Sequence, residues 1–205
     1  MRTFRLAREP DAEAVAAIYR PWVEQTGVSF ELLAPDAGEM ARRIRAGSSY
    51  APWLICEEDG EVRGYAYASR HRERAAYQWS VDVAVYVQGE HHRRGTGRAL
   101  YQSLFALLRL QGFVAAHAGI TLPNPASVGL HEALGFRLIG IYPAVGYKLG
   151  AWRDVGWWQL RLCDTPPDPA PPLSVEEAQQ RPGWQAALET GLAAIQAPGR
   201  SRRRL

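Results

Sequence analysis

The sequence has little cysteine and no long apolar run. Its two cysteines among 205 residues, Cys56 and Cys163, are too few for a disulfide framework and lack the spacing of metal ligands, which excludes a structural zinc site. No apolar run approaches the roughly 20 residues that span a bilayer. Residues 1–6 carry no apolar segment of the secretory type. We therefore expect a cytoplasmic protein with neither a metal site nor a membrane partner.

A large charge of one sign is also missing. The formal net charge is +3, and Lys148 is the only lysine, so nearly all basic residues are arginine. Residues 1–163 account for the whole excess, because residues 164–205 carry equal numbers of acidic and basic groups. The arginines at 200–204 are expected to form a solvated tail. An excess this small gives no basis for nucleic-acid binding.

Proline divides the chain into two parts. Seven of the 14 prolines lie after residue 163, most of them within 164–173, which predicts an extended, semi-rigid linker. We therefore predict a globular domain over 1–163 and a proline-rich linker with a helical extension over 164–205. Apolar residues from Trp184 to Ile195 have helical spacing, so this helix should dock on the domain or on a second subunit.

Apolar spacing within the first part alternates between that of strands and that of helices, which predicts a mixed α/β fold. Pro21 is expected to kink or end the first helix, and Asp59 and Gly60 to form a hairpin turn. Residues 140–147 are expected to form a loop. The predicted strands cover 4–6, 52–56, 62–69, 76–87, 115–122 and 155–162, and the predicted helices cover 15–23, 35–46, 100–108 and 124–134.

A basic, glycine-rich turn lies between the strand ending at Val87 and the helix that follows. Backbone N–H groups at such a turn point outward with the positive end of the helix dipole behind them, and Gly95 and Gly97 allow a pyrophosphate to approach closely. The turn lacks the Gly-Lys-Ser/Thr end of a P-loop, and the third glycine of a dinucleotide fingerprint would fall at Leu100. A solvated basic loop is the alternative interpretation.

The glycine spacing of this turn is similar to the pyrophosphate loop of the GNAT N-acetyltransferases, with His92 where glutamine or arginine is usual. Over nearly all of residues 3–163 the chain resembles the phosphinothricin N-acetyltransferases of that superfamily. The resemblance implies acetyl-CoA as the donor, a mixed, splayed sheet flanked by helices, and a homodimer. It rests on many short matches in one order, among them Ser29-Phe30-Glu31, Gly64-Tyr65-Ala66-Tyr67-Ala68, Val85-Tyr86-Val87, Leu122-Pro123-Asn124 and His131-Glu132-Ala133-Leu134-Gly135-Phe136.

The same resemblance implies how the coenzyme binds. The strand before the turn would line the pantetheine arm, the turn and the start of the helix would hold the pyrophosphate, and a later helix cap would make a further contact. In this chain the implied contacts are Val85, Tyr86, Val87, Arg93, Arg94, Gly95, Thr96, Gly97, Arg98 and Asn124.

An ammonium group must lose a proton before it can attack a thioester, so the site needs a base. Asp82 alternates with the apolar residues Val81 and Val83, so it lies on the face of its strand that looks into a cleft or water. The family has a glutamate at this position, and the shorter aspartate favours a relay through water. The resemblance pairs this carboxylate with His131. A solvated aspartate and a structural histidine are the alternatives.

Arg72, Arg74 and Tyr77 precede the strand that carries Asp82. They suit an acceptor with a carboxylate and a second acidic group, because guanidinium groups form forked hydrogen bonds with such anions. Phe30 and Val155 match family positions near the acceptor. The expected function is acetyl-CoA-dependent N-acetylation of a small acidic amino acid or analogue, of the phosphinothricin or methionine sulfoximine type. The alternatives are another small amine or a peptide N-terminus as acceptor, and a module that binds acetyl-CoA without turnover.

Overall fold

Seven strands in one sheet form the frame of the molecule. The computed structural model describes residues 1–91 and 94–196. The sheet order is β1-β2-β3-β4-β5-β7-β6, and all neighbours are antiparallel except β4 and β5. The strands are β1 (Arg2–Leu6), β2 (Trp53–Glu58), β3 (Glu61–Arg70), β4 (Ser80–Val87), β5 (Ala115–Leu122), β6 (Arg137–Lys148) and β7 (Ala151–Arg161).

Helices cover both faces of this sheet, which confirms the mixed α/β prediction. Two helices pack with the β2–β3 hairpin around one core, and the others cover the opposite face around a second core. No helix among the described residues is long and apolar enough to cross a membrane. The helices are α1 (Ala12–Glu24), α2 (Ala37–Gly47), α3 (Thr96–Gln111), α4 (Pro125–Ala133), α5 (Val175–Gln179) and α6 (Trp184–Gln196).

The sheet splays between its two parallel strands. β4 and β5 pair only from Ser80, opposite Ala115, to Asp82, opposite His117. Beyond that point β4 continues to pair with β3, and β5 continues to pair with β7. The two parallel strands therefore diverge and leave a V-shaped cleft. We call the last pair, Asp82 and His117, the apex of the cleft.

Three local predictions need correction. Residues 140–147, expected to form a loop, belong to β6, the edge strand of the sheet. The glycines and proline that indicate a turn are tolerated there because the register of β6 against β7 is irregular in this stretch and one side of an edge strand needs no partner. The strand expected from residue 76 begins at Ser80, because Ala75–Tyr77 form a 3₁₀ turn. Helix α1 does not end at Pro21, which was one of the two outcomes expected there, but continues to Glu24.

The C-terminal helix docks on the chain's own domain. Helix α6 packs along α3, and the backbone N–H of Gly191 donates a hydrogen bond to Ser103 Oγ at 3.0 Å. A Cβ at Gly191 would lie 1.9 Å from the carbonyl oxygen of Ala99, so this close crossing requires glycine. The apolar stripe of α6 is therefore covered within one chain. The predicted arginine tail at 200–204 lies outside the described residues.

Candidate active site

A hydrogen-bonded pair of ionisable side chains lies at the apex of the cleft. His71, just beyond the end of β3, places its Nδ1 2.6 Å from Oδ1 of Asp82. The antiparallel β3–β4 register brings them together, because Ser69 lies opposite Asp82. The side chains remain 14% and 31% exposed, respectively. Both groups are therefore positioned by a hairpin and still accessible from the cleft.

The apex residue on β5 stacks on this pair. The imidazole of His117 lies 4.2 Å from that of His71, with the two rings 18° from parallel. The side-chain amide of Gln159 donates a hydrogen bond to His117 Nε2 at 3.1 Å. Burial, together with the nearby His71 and Arg72, lowers the pKa of His117 to about 4. His117 is therefore a neutral ring at neutral pH and supports His71 without adding charge.

Two opposing effects act on Asp82. Burial raises the pKa of the Asp82 carboxyl above its usual value, while the hydrogen bond from His71 and the charge of Arg72 act in the opposite direction. Burial dominates, so the pKa is raised overall. A carboxylate with a raised pKa accepts a proton more readily than one in water, which suits a group involved in proton transfer.

The side chains of His71, Asp82 and His117 lie close enough together to be considered as ligands of one metal ion. One potential ligand atom from each of His71, Asp82 and His117 lies within 4.8 Å of the other two. A histidine ligand, however, holds a metal in the plane of its ring, at roughly 2.0–2.1 Å for zinc. Two nearly parallel, stacked rings do not share such a point. The observed arrangement is thus suited to hydrogen bonding and proton transfer rather than to a preformed metal centre.

The structure brings two of the predicted acceptor residues to this apex. The guanidinium of Arg72 donates to the carbonyl oxygen of His71 at 2.6 Å and lies 5.6 Å from the ring of Trp157. The ring of Tyr77 meets His71 edge-on at 5.9 Å. Arg74 is exposed and precedes the 3₁₀ turn without a hydrogen bond to the cluster.

The other two predicted acceptor residues lie toward the β6–β7 side of the cleft. The ring of Phe30 occupies the space that a side chain at Gly146 would fill. Val155 on β7 lies opposite Thr121 in the β5 ladder. The hydroxyl of Thr121 donates to the carbonyl oxygen of Val28 at 3.3 Å, which ties the loop containing Phe30 to this side.

A cavity of about 590 Å³ lies on the same face of the sheet as Asp82, between α2 and β3. None of the five predicted acceptor residues lines it. Its lining includes Ser69, Arg70 and Glu73, which flank His71 and Arg72 in the chain. The cavity therefore adjoins the apex, and its size is in the range of small-molecule sites.

The predicted coenzyme residues lie along the opening of the V. Past the apex, Val85 faces α3, whereas Tyr86 faces α1 and meets Tyr19 edge-on at 4.9 Å. Gly95 has a φ of +80° and caps α3, a left-handed conformation that favours glycine. Thr96 is buried, and Arg94 and Arg98 are exposed.

Three further positions complete the predicted coenzyme contacts. A Cβ at Gly97 would be 3.7 Å from Val85 and Val87 side chains, so the start of α3 packs closely on β4. The side chain of Asn124 accepts a hydrogen bond from the backbone N–H of Ser127 at 3.1 Å, which is the predicted helix cap. Arg93 lies outside the described residues.

His131 lies in a different environment from Asp82. Its Nδ1 donates to the carbonyl oxygen of Ser127 at 2.8 Å, its Nε2 accepts from the Tyr101 hydroxyl at 3.1 Å, and its side chain is 4% exposed. Burial lowers the pKa of His131. Tyr101 belongs to the core on the α3 face, together with Val83.

Asp82 alternates with Val83 and therefore points to the other face of β4. Within the described part of the chain, no hydrogen bond joins Asp82 to His131. The two predicted catalytic residues thus lie on opposite faces of one strand.

Sequence reasoning missed His71 and His117. His71 follows a predicted strand without any motif, and His117 falls inside an otherwise apolar strand. Neither histidine is recognisable as a site residue by itself. Both imidazoles become neighbours of Asp82 only when β3, β4 and β5 are placed side by side. A shortened carboxylate with one histidine on a neighbouring strand and another directly after the other neighbouring strand is the pattern that would have revealed the cluster.

Known proteins resemble this chain over most of its length. A protein-family model for the acetyltransferase (GNAT) domain matches residues 4–157. A phosphinothricin N-acetyltransferase from Streptomyces viridochromogenes is 39% identical over 83% of this chain and 93% of its own length. An L-methionine sulfoximine/L-methionine sulfone acetyltransferase from Salmonella typhimurium is 34% identical over 78% and 94%.

A solved structure gives the same result for the fold. A GNAT superfamily phosphinothricin acetyltransferase from Sinorhizobium meliloti, in complex with acetyl-CoA, has a TM-score of 0.79 and 34% identity to this chain. The match covers 82% of this chain and 93% of that one. This chain therefore shares its fold with a protein whose solved structure contains acetyl-CoA.

Proposed function

The chain belongs to the GNAT acetyltransferase family, and we propose that it transfers the acetyl group of acetyl-CoA to the amino group of a small acidic amino acid or analogue. The observation that carries this proposal is the apex of the cleft, where proton-accepting groups and Arg72 meet. Relatives named for phosphinothricin and methionine sulfoximine support an acceptor of that class. Both names denote amino acids with a second polar group beyond the α-carboxylate.

Several residues of this chain support the proposal that acetyl-CoA binds in the cleft. The diverging strands leave room beside Val85, Tyr86 and Val87 for an extended pantetheine arm. At the mouth of the V, the left-handed Gly95 turns the chain into the N-terminus of α3, which with Thr96 and Gly97 presents backbone N–H groups to an anion. The segment from Arg93 to Arg98 supplies positive charge to the pyrophosphate, and Asn124 makes the further contact.

Two catalytic residues are proposed, Asp82 and His131. Asp82 promotes loss of a proton from the ammonium group of the acceptor through an intermediary, because its side chain is one methylene shorter than glutamate. His131 is the second catalytic group, as the family resemblance implies. Because the two lie on opposite faces of β4, we propose that they contribute independently to the same rate-limiting step rather than as one hydrogen-bonded pair.

The acceptor lies over the apex on the Asp82 side in this proposal. Arg72 holds one of its acidic groups, with Arg74 and Tyr77 close by in the chain, because a guanidinium binds a carboxylate or phosphinate through paired hydrogen bonds. Phe30 and Val155 provide apolar contact from the opposite wall. The donor's thioester carbon and the acceptor's nitrogen then meet at the end of the V.

We also propose a homodimer and a cytoplasmic location. The apolar stripe of α6 does not support a dimer, because α3 of the same chain covers it. A different surface supports one. Edge strand β6 and its hairpin with β7 expose apolar side chains that are 47% to 66% accessible, a concentration unusual for a monomer surface: Leu138, Ile139, Ile141, Tyr142, Val145, Tyr147, Leu149 and Trp152. Sedimentation of wild type and of Ile139→Glu tests this, with a wild-type dimer that Ile139→Glu dissociates as the expected result.

The experiment that tests the function is thiol release from acetyl-CoA with a panel of amines. We expect turnover with glutamate-like amino acids, phosphinothricin and methionine sulfoximine. Turnover only with other small amines or with peptide N-termini would contradict the proposed acceptor. Tight acetyl-CoA binding without turnover of any amine would instead identify a binding module.

A further inference from the structure

We propose that His71 is the base that takes the proton from the acceptor's ammonium group, with Asp82 as its positioning residue. This inference rests on the proposed function and names the intermediary that a shortened carboxylate requires. The family resemblance implies no role for this position. The geometry at the apex, rather than any motif, points to it.

The hydrogen bond between the two residues fixes the form of the ring. An ionised carboxylate only accepts hydrogen bonds, so His71 Nδ1 must carry the proton in the 2.6 Å contact with Asp82. The neutral ring then carries its lone pair on Nε2, the atom that accepts a proton. No described residue forms a hydrogen bond with Nε2, and the side chain retains 14% exposure. An imidazole oriented by a carboxylate through Nδ1 and free at Nε2 is the arrangement that general-base catalysis needs.

The surroundings hold this ring in place. His117 stacks on one face at 4.2 Å, while Tyr77 and Trp157 meet it edge-on at 5.9 and 6.0 Å. Four titratable or charged groups of the described chain contact His71, namely Asp82, Arg72, His117 and Tyr77, and His117 is neutral at neutral pH. The positive charge of Arg72 places the anionic end of an acceptor beside the ring, so its ammonium group lies within reach of Nε2.

The proposed step balances as follows. Nε2 of His71 takes one proton from the ammonium group, and Asp82 stabilises the imidazolium that forms. The freed nitrogen lone pair attacks the thioester carbonyl carbon, and the carbon–sulfur bond breaks as the amide forms. The second proton leaves the nitrogen and neutralises the thiolate, giving free coenzyme thiol, and His71 returns its proton to water. No oxidant, reductant or metal is required.

Kinetics of full-length variants test the assignment. His71→Asn keeps a side-chain N–H that can reach Asp82 but lacks the basic nitrogen. We expect kcat to fall by about 100-fold or more, the range of a lost general base, with unchanged acetyl-CoA affinity. Wild-type kcat in His71→Asn would overturn the proposal.

Chemical rescue separates a base from a structural ring. Added imidazole should restore activity to His71→Ala in a saturable way, because the site opens to the cleft. The matched control His131→Ala should not respond, since that side chain is 4% exposed. A His71→Ala variant that is inactive and insensitive to imidazole would show that the ring only supports the structure, and would overturn the proposal.

A measurement without turnover keeps this inference separate from the proposed function. In ¹⁵N-histidine NMR spectra of the wild-type protein, with His71→Asn used to identify the resonance, we expect Nδ1 of His71 to carry the proton near neutral pH. A ring protonated on Nε2 alone would overturn the assignment. Absence of turnover with every amine would refute the proposed function and leave this readout intact.

Discussion

Two histidines on opposite sides of β4, His71 and His131, lie in contrasting environments. On the cleft face, His71 is bonded to Asp82 through one nitrogen, and no residue that the structure describes is bonded to the other. On the α3 face, His131 is bonded through both nitrogens, to Ser127 and Tyr101, and is almost fully buried. A ring with a free nitrogen beside a carboxylate is ready to exchange a proton with a ligand. A ring with both nitrogens occupied must first give up a hydrogen bond.

The contrast shows how resemblance and geometry can point to different residues. Resemblance identifies His131, because a run of matching residues surrounds it in the chain. Geometry identifies His71, because three strands bring it together with Asp82 and His117. If both histidines contribute, they should do so independently, since a strand separates them.

The largest expected effect tests whether the catalytic groups on the two sides of β4 act independently. Asp82→Asn and His131→Asn should each lower kcat about 100-fold, and the double variant about 10⁴-fold, because groups that share no contact act additively in free energy. Asp82→Asn combined with His71→Asn should lose little more than either alone, because these two act as a unit. Steady-state kcat at saturating substrates measures both cycles. If the Asp82→Asn/His131→Asn double variant lost little more kcat than either single variant, the two residues would not act independently.

The next effect concerns the mouth of the cleft rather than its apex. Gly95→Val should weaken acetyl-CoA binding about tenfold or more, because a side chain in the left-handed conformation costs roughly 1–2 kcal/mol and bulk there blocks the anion. Gly60→Val is the matched control, since Gly60 has a φ of +82° in the β2–β3 turn and an added Cβ there would meet no other atom within 4 Å. Titration of acetyl-CoA into both variants checks the prediction. Equal acetyl-CoA affinities of the two variants would show that the turn at Gly95 does not bind the coenzyme.

A smaller effect distinguishes the two predicted acceptor arginines. Arg72→Gln should raise KM for an acidic acceptor about 3- to 10-fold, the scale of an exposed charge-assisted hydrogen bond. Arg74→Gln is the control and should change KM less, because Arg74 forms no hydrogen bond with the described residues of the apex cluster. KM should also become less dependent on the acceptor's second acidic group in Arg72→Gln. A larger increase of KM in Arg74→Gln than in Arg72→Gln would show that the acceptor does not bind at the apex.

The last effect concerns stability rather than activity and tests His117. Its folded-state pKa of about 4 lies below the ordinary value near 6.5, so the unfolded chain binds a proton first as the pH falls. Stability should therefore decrease from pH 7 to pH 5, and this one group should account for about 2 kcal/mol of the unfolding free energy. Denaturant unfolding of wild type and His117→Gln at both pH values measures the difference. Identical pH dependence would contradict a neutral, buried His117.

The sequence predicts the coenzyme half of the molecule better than the acceptor half. The turn around Gly95 and the cap at Asn124 are local patterns, because backbone conformation and capping act over a few residues. The cluster at Asp82 depends on pairing between three strands, and the side chains that meet there have no fixed spacing along the chain. The edge strand at 140–147 was missed for a related reason, since its glycines and proline are tolerated only because of its position in the sheet.

The central claim is that the proton-accepting centre lies at the apex, on the face of β4 that carries Asp82. The most direct test is kcat against pH for wild type, Asp82→Asn and Asp82→Glu with a glutamate-like acceptor and saturating acetyl-CoA. The account predicts a loss of about 100-fold or more in Asp82→Asn, unchanged acetyl-CoA affinity, and substantial activity in Asp82→Glu. Near wild-type kcat for Asp82→Asn at neutral pH would contradict it.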